Sequence, residues 1–275
     1  MPPVDAKPCF LTPAPVQSES PLFIYLPGMD GTGKLLQTQI PELSKSLDVR
    51  CLAIPRNYLT TWDILAKNVL DLIHAELEKS CQRTIYLCGE SFGGCLAMKV
   101  ATQSPQLFKR IILINPASSL QQRSWFNWIT QATHFVPSSL FNIGALGLLP
   151  FLASLERIAP SDRLMLLTAM RSVPSTTVNW RLSLLRDFQV DQEQLQQLIQ
   201  PVLLIGSGSD RLLPSVSEIV RLADMIPNTK TFILPNSGHA CLLEEKVNLY
   251  QILKDNDFLE IKIPKMITSV NSLNN

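Results

Sequence analysis

Short apolar runs, each followed closely by a glycine or a proline, recur along the chain and constrain its fold more than any other feature. Six of them occur, at residues 22–26, 50–54, 84–88, 110–114, 202–205 and 230–234. Amphipathic segments lie between the runs, and the clearest begins near Thr60 and repeats apolar residues at helical spacing. Strands that are apolar on both faces are typical of parallel sheets. Their alternation with helices predicts an α/β fold with a mostly parallel, doubly wound sheet.

The alternation stops between residues 117 and 200, where leucine-rich and aromatic helical segments are interrupted by prolines. We interpret residues 117–200 as a helical cap that is inserted over the sheet. The α/β core then comprises residues 21–116 and 201–255. An extended, proline-rich arm at residues 1–20 precedes the core, and a tail without clear periodicity at residues 256–275 follows it.

Part of the predicted cap carries no formal charge, since no Asp, Glu, Lys or Arg occurs from Ser124 to Leu155. Its longest apolar run, residues 143–153, is shorter than the ~18 residues that a membrane-spanning helix needs. Two interpretations stay open. The segment is either a buried cap helix or an apolar substrate entrance that also makes peripheral contact with a membrane.

Composition excludes several classes of protein. The net charge is +1 and charged residues make up 17% of the chain, which is too little charge for a disordered protein and leaves no basic excess for nucleic acid. The six cysteines form no CxxC pair, and the N-terminal residues lack the pattern of a signal peptide. We therefore expect a cytoplasmic protein in a reducing compartment, with no metal, no other cofactor and no nucleic-acid partner.

The segment from Gly89 to Gly93 reads G-x-S-x-G and lies between the third predicted strand and a helical pattern at residues 95–101. In that context the motif predicts a nucleophilic serine, Ser91, on a sharp strand-to-helix turn. The flanking glycines leave room for the strained backbone, and the following helix directs the positive end of its dipole at the serine.

A serine hydroxyl needs a base, and the chain has three histidines. His74 lies on the polar side of an amphipathic segment and is expected at the surface. His134 lies in the uncharged cap segment and is either a hydrogen-bonded cap residue or a substrate contact. His239 follows the sixth predicted strand, at the sheet edge where α/β proteins bind ligands, and is therefore the predicted base.

Asp210 is the predicted acid that orients this base. It follows the fifth predicted strand, and its place between Ser91 and His239 is the Ser…Asp…His order of G-x-S-x-G enzymes. Asp187 and Asp191 are rivals, but they lie in the predicted cap.

Two backbone N–H groups are expected to bind the oxyanion of an acyl-transfer reaction, one from Phe92 and one from Met29 in the glycine-rich loop after the first predicted strand. Gly28 and Asp30 of this loop are predicted substrate-binding positions, and Asp30 is expected to hold the loop through backbone hydrogen bonds. A phosphate-binding loop is the alternative. However, the loop lacks G-x-G-x-x-G and the GK[ST] ending, and Asp30 would repel phosphate.

Aromatic side chains in the predicted cap suit a long acyl or prenyl chain, although they would also serve as ordinary cap core. The cap residues that we predict to contact substrate are Trp125, Trp128, His134 and Phe135.

Over residues 20–255 the sequence resembles the α/β-hydrolase superfamily. More narrowly, the segments Leu26-Pro-Gly-Met-Asp-Gly-Thr-Gly33, Gly89-Glu-Ser-Phe-Gly-Gly94 and Ser237-Gly-His-Ala-Cys-Leu-Leu-Glu244 resemble the phytyl ester synthase group of plants and cyanobacteria. That resemblance implies an esterase-like protein that acylates phytol or diacylglycerol, peripheral to a thylakoid membrane. The chain lacks the His-x4-Asp motif of glycerolipid acyltransferases, so any acyl transfer falls to Ser91.

Together these features predict a serine-dependent acyl-ester hydrolase or acyltransferase that acts on a lipid or ester small molecule. One alternative is different chemistry on the same scaffold, such as C–C bond hydrolysis or perhydrolysis of a small substrate. The other is a non-catalytic binding protein that has kept the fold. No protein partner is inferred.

Overall fold

A seven-stranded sheet forms the centre of the structure, a computed structural model that describes residues 7–79, 83–122, 147 and 149–259. The strands are β1 (Cys9–Leu11), β2 (Leu22–Leu26), β3 (Asp48–Ala53), β4 (Ile85–Glu90), β5 (Arg110–Ile114), β6 (Val202–Ser207) and β7 (Thr229–Leu234). Their order is β1-β3-β2-β4-β5-β6-β7, and only the β1–β3 pair is antiparallel. The predicted mostly parallel sheet is confirmed.

Helices cover both faces of the sheet. The α-helices with both ends inside the described ranges are α1 (Ile40–Leu43), α2 (Trp62–Lys79), α3 (Phe92–Gln103), α4 (Pro160–Ser172), α5 (Ser175–Arg186), α6 (Gln192–Gln196), α7 (Ser215–Met225) and α8 (Leu249–Asp255). The α2, α3 and α7 helices pack on one face, and α1 and α8 pack on the other. This two-sided arrangement is the doubly wound α/β fold that the alternating sequence pattern predicts.

The central strand β2 shows how the sheet organises the core. Leu22, Ile24 and Leu26 pack into the core beneath α2 and α3, whereas Phe23 and Tyr25 pack into the core beneath α1 and α8. All five side chains are fully buried. Because successive strand residues point to opposite faces, only a continuous apolar run can fill both layers.

The predicted strands agree with the structure to within two residues at each end, and β2 and β5 agree residue for residue. Strand β1 was not predicted from the sequence. This strand has only three residues, lies in the proline-rich arm and pairs with the outer edge of β3 through Cys9, Phe10 and Leu11. A run this short carries too little alternation to indicate a strand.

The described part of residues 117–200 contains 3-10 helices at Ala117–Gln122 and Leu155–Arg157, helical residues at 147 and 149–152, the helices α4, α5 and α6, and no strand. Residues 123–146 and 148 lie outside the described residues. The proposed division into arm, core, cap and tail therefore stays a prediction. No helix in the described ranges is both long enough and apolar enough to cross a membrane.

A buried ionic cluster ties β3 to α2 and to the segment before β4. The Asp48 carboxylate accepts hydrogen bonds from Arg50 and from Arg83, at 2.8 Å to each. Arg50 also donates to Glu76 on α2 at 2.9 Å. Burial raises the pKa of Asp48, but the two arginines outweigh that effect and hold the pKa below its ordinary value.

Replacing Asp48→Asn should destabilise the fold, because two buried guanidinium groups lose their carboxylate. We expect a loss of roughly 3–5 kcal/mol in the free energy of unfolding at pH 7, measured by urea denaturation. Since the folded-state pKa of Asp48 is lowered, its stabilisation is present above the unfolded pKa of about 3.9 and is lost as pH falls through the folded value. The difference between the two proteins should therefore shrink in acid.

The exposed Lys67–Asp71 pair on α2 provides a matched control. Asp71→Asn should change the free energy of unfolding by less than about 1 kcal/mol at pH 7. Equal losses in the two variants would show that the buried cluster has no special part in stability.

Candidate active site

Ser91 sits on the sharp turn between β4 and α3. Its backbone has φ 56° and ψ −115°, a strained conformation that few residues other than glycine adopt. The Ser91 N–H donates to the carbonyl of Ile114 at the end of β5, at 2.9 Å. The turn therefore presents the serine at the carboxyl edge of the sheet, as the G-x-S-x-G context predicts.

The two glycines of the motif are required because backbone segments meet closely at this turn. A Cβ atom on Gly93 would lie 2.0 Å from the carbonyl oxygen of Leu26, and one on Gly89 would lie 2.2 Å from the carbonyl oxygen of Gly93. Neither backbone atom can move aside without displacing β2 or α3. The motif is thus a packing requirement as well as a conformational one.

The structure brings the three predicted catalytic side chains into one hydrogen-bonded chain. His239 Nε2 lies 2.8 Å from Ser91 Oγ, and His239 Nδ1 lies 2.7 Å from Asp210 Oδ2. A carboxylate can only accept, so the imidazole proton belongs on Nδ1 and leaves Nε2 to accept from the serine hydroxyl. The other Asp210 oxygen accepts the N–H groups of Leu212 and Leu213, which fixes the carboxylate in place.

The charges around His239, within this hydrogen-bonded group of three side chains, favour a positively charged imidazole. Burial lowers the pKa of His239, but the neighbouring Asp210 carboxylate raises it more, so the pKa lies above its ordinary value of 6.5. Burial raises the pKa of Asp210, and its bonds to His239 and to Ser215 outweigh that effect and lower it. Asp210 therefore stabilises the imidazolium that would form when His239 takes a proton.

Two residues that the sequence analysis missed hold the loop that carries His239. The Glu244 carboxylate accepts the Gly238 N–H at 2.8 Å and the Ser237 hydroxyl at 2.9 Å. The Asn115 side-chain amide donates to the His239 carbonyl at 2.8 Å. Asn115 directly follows β5 at the carboxyl edge, which was an available signal. Glu244 ends the segment Ser237–Glu244 that carries the family resemblance, but no pattern in the sequence indicated its role.

Glu90 is a third residue that was missed. It precedes Ser91 within the motif, is buried, and accepts a hydrogen bond from the Tyr25 hydroxyl. Burial raises the pKa of Glu90 to about 7. Its negative charge also contributes to raising the pKa of His239.

The predicted oxyanion residues both lie close to Ser91. A Cβ atom on Gly28 would lie 3.8 Å from Ser91 Cβ, so the loop that contains Met29 runs beside the serine. Phe92 is the first residue of α3, and no earlier helical carbonyl is available to its N–H. Asp30 accepts the Thr32 N–H at 2.8 Å, the kind of backbone hydrogen bond expected to hold this loop.

The rival residues lie away from this site. His74 is exposed on α2, as predicted. Asp187 is exposed and pairs with Arg186, and Asp191 caps α6 by accepting the Glu193 N–H. The predicted substrate contacts of the cap, Trp125, Trp128, His134 and Phe135, lie outside the described residues.

The polar groups around Ser91 are bound to one another. Within the described ranges, no three or more His, Cys, Asp or Glu side chains are grouped so that they could hold a metal ion. The five cysteines described there are free thiols, and four of them are buried. The arrangement of Ser91, His239 and Asp210 is suited to nucleophilic attack by the serine hydroxyl.

A family model described as "Serine aminopeptidase, S33" matches residues 54–246, more than half of the chain and all three of these side chains. The chain belongs to this α/β-hydrolase family. The fold predicted from the resemblance is therefore confirmed, and so is the relationship to phytyl ester synthases, which the next comparisons show.

Two plant proteins are similar to this α/β-hydrolase. Phytyl ester synthase 1, chloroplastic, of Arabidopsis thaliana is 31% identical over 86% of this chain, and phytyl ester synthase 2 of the same organism is 28% identical over 86%. The chain spans only 37% and 38% of their respective lengths. Among solved structures, MenH from S. aureus superposes with a TM-score of 0.73 at 17% identity, over 92% of this chain and all of that one, which shows a shared fold.

The sharp turn between β4 and α3 should not tolerate a side chain at Gly93. We expect Gly93→Ala to lower the free energy of unfolding by about 3 kcal/mol, the upper end of the usual cost of overpacking, because backbone on both sides must move. Gly28→Ala is the matched control, since its Cβ atom would meet only ordinary contacts of 3.7–4.0 Å. Urea denaturation followed by circular dichroism measures both. Similar stability of the two variants would contradict the close packing described for the turn.

Proposed function

We propose that this chain is a serine-dependent acyl-ester hydrolase or acyltransferase that acts on a lipid-like substrate through a covalent acyl-enzyme. The observation that carries the proposal is the continuous hydrogen-bonded chain from Asp210 through His239 to Ser91. It lies where the strand-to-helix turn presents a half-buried serine at the carboxyl edge of the sheet.

Each residue has a defined part in the proposed reaction. His239 takes the hydroxyl proton as Ser91 Oγ attacks the acyl carbonyl, and Asp210 orients the ring and stabilises its positive charge. The backbone N–H groups of Met29 and Phe92 bind the oxyanion, each contributing roughly 10²–10³ in rate. The proton on His239 then passes to the leaving group, and the acyl group stays on Ser91.

The second half of the reaction decides between hydrolysis and transfer. His239 deprotonates either water, which releases a free acid, or an alcohol, which yields a new ester. A site that excludes water favours the alcohol. The similarity to phytyl ester synthases supports phytol as an acceptor, and the resemblance found in the sequence supports diacylglycerol as a second.

A lipid acceptor requires that the protein meet a membrane surface. We place that contact in the charge-free segment from Ser124 to Leu155, because it has no charged side chain that would have to be desolvated against acyl chains. The chloroplast location in the names of the two plant relatives supports a thylakoid-type membrane as the surface.

Replacing Ser91→Ala should abolish ester hydrolysis and covalent labelling. We expect kcat for p-nitrophenyl esters to fall by a factor on the order of 10⁶, because the nucleophile is lost. A fluorophosphonate probe should label the wild-type protein and not the variant. Ser161→Ala, at an exposed serine on α4, is the control and should keep both properties. Labelling of Ser91→Ala equal to that of wild type would favour a non-catalytic protein.

An assay with a long-chain acyl ester and phytol distinguishes acyl transfer from hydrolysis. Phytyl ester among the products, dependent on Ser91, supports acyl transfer, and free acid alone supports hydrolysis. A preference for short acids with hydrogen peroxide would instead favour perhydrolysis. Comparison of lipid profiles from cells with active protein and with Ser91→Ala then tests the same products in vivo.

The pH profile of kcat/KM should depend on Glu90. His239 must be neutral to accept a proton, and its pKa is raised, so activity should be lost as pH falls through a value above 6.5. Glu90→Gln removes a negative charge that raises this pKa while keeping an oxygen for the Tyr25 hydroxyl. The acidic limb should therefore move to lower pH. Glu78→Gln, at an exposed position on α2, is the control and should not shift it. An unchanged limb, or a shift to higher pH, in Glu90→Gln would contradict this role for the Glu90 charge.

A further inference from the structure

One face of α5 is bound to the core beside the active site. Thr177 Oγ1 donates to the carbonyl of Arg56 at 2.6 Å, and Trp180 Nε1 donates to that of Thr60 at 2.9 Å. The carbonyl of Leu184 accepts a hydrogen bond from Trp62 Nε1 on α2, at 2.9 Å. These positions recur every three or four residues and so share one side of the helix.

Arg181 lies on that same side and reaches the loop proposed to bind the oxyanion. Arg181 is only 2% exposed, and its Nη1 donates to the Met29 carbonyl at 2.6 Å. The guanidinium lies directly over Gly31, where a Cβ atom would come within 2.7 Å of Nη1. Gly31 has φ +68°, so both its backbone and its lack of a side chain suit this contact.

The same guanidinium lies near the second proposed oxyanion residue. Arg181 Cζ is 6.0 Å from the centre of the Phe92 ring, within the range of a cation–π contact. The Phe92 ring also stacks on Trp62, with ring centres 4.6 Å apart. Through Arg181 and Trp62, α5 therefore contacts both residues whose N–H groups we assign to the oxyanion.

The loop geometry explains what the hydrogen bond to Met29 controls. The Gly31 N–H donates to the Gly28 carbonyl at 3.0 Å, which closes a turn with Met29 and Asp30 at its centre. The central peptide of such a turn can present its carbonyl on either side, but the flipped form needs a positive φ at its third residue. Asp30 is not among the residues with positive φ. Arg181 thus binds the carbonyl of the unflipped turn.

Burying a guanidinium group at this position costs free energy, because the charge loses its contact with water. Burial lowers the pKa of Arg181, and the charge of Asp30 partly offsets that effect. Within the described residues its Nη2 has no hydrogen-bond partner. An apolar side chain of similar volume would pack here without that desolvation. What it would not supply is the bond to Met29 and a positive charge beside the oxyanion.

We propose that Arg181 is a positioning residue that holds the Met29 turn in the form required for oxyanion binding and adds positive potential there. This inference rests on the proposed function. It also links the placement of α5, within the predicted cap, to the geometry of the reaction centre.

The test compares Arg181→Met and Arg181→Lys with Arg186→Met, an exposed arginine on the same helix. The measurements are kcat and KM for a p-nitrophenyl ester and the inhibition constant of a trifluoromethyl ketone, whose serine adduct carries an oxyanion. For Arg181→Met we expect kcat to fall about 100-fold with little change in KM, and inhibitor affinity to fall by a similar factor. Arg181→Lys should recover part of both, and Arg186→Met should match wild type.

Wild-type kcat and inhibitor affinity in folded Arg181→Met would overturn the inference, as would a loss confined to KM. If Arg181→Met does not fold, Arg181→Lys decides, because its kcat and inhibitor affinity must still fall together by a common factor. A purely structural role would lower the melting temperature without that parallel loss.

Failure of the proposed function can be told apart from failure of this inference. A wild-type protein that neither hydrolyses esters nor is labelled at Ser91 would overturn both. An active wild-type protein with unaffected Arg181 variants would overturn the inference alone.

Discussion

The close approach of backbone segments around Ser91 is the constraint on which the rest of the structure depends. A serine in a left-handed conformation costs on the order of 1–3 kcal/mol and persists only where its surroundings leave no alternative. Here Gly93 packs directly on the carbonyl of Leu26, and the Ser91 N–H is bound to the end of β5. The buried strands on both sides supply the stability that holds this turn, so the conformation of Ser91 depends on the core of the sheet.

The site is assembled from segments that are far apart in the chain and meet at one edge of the sheet. The loops after β2, β4, β6 and β7 supply the Met29 turn, Ser91, Asp210 and His239, in that order. Because parallel strands present their carboxyl ends together, each loop needs only a short reach. A long-range hydrogen bond from Asn115 and local hydrogen bonds to Glu244 then fix the His239 loop, and Arg181 does the same for the Met29 turn.

Local patterns predicted much of this architecture. Continuous apolar runs gave the central strands, and the strand–G-x-S-x-G–helix context, with residues placed after later strands, led to Ser91, Asp210 and His239. The short edge strand β1 escaped prediction because three residues show no usable period. Glu244 lies only six and seven residues from its partners Gly238 and Ser237, but that pairing depends on the turn that the loop adopts. Arg181 escaped because its role arises from contact with a distant segment, 152 residues away at Met29. A single sequence carries no local signal for such pairs.

Mass spectrometry of an acyl-enzyme trapped during turnover tests the central claim most directly. The protein is mixed with a long-chain p-nitrophenyl ester, quenched in acid within milliseconds and digested. We predict that the acyl mass appears on the peptide that contains Ser91 during turnover and disappears once the ester is consumed. Ester turnover with no acylated peptide, or with the acyl group on a different residue, would contradict it.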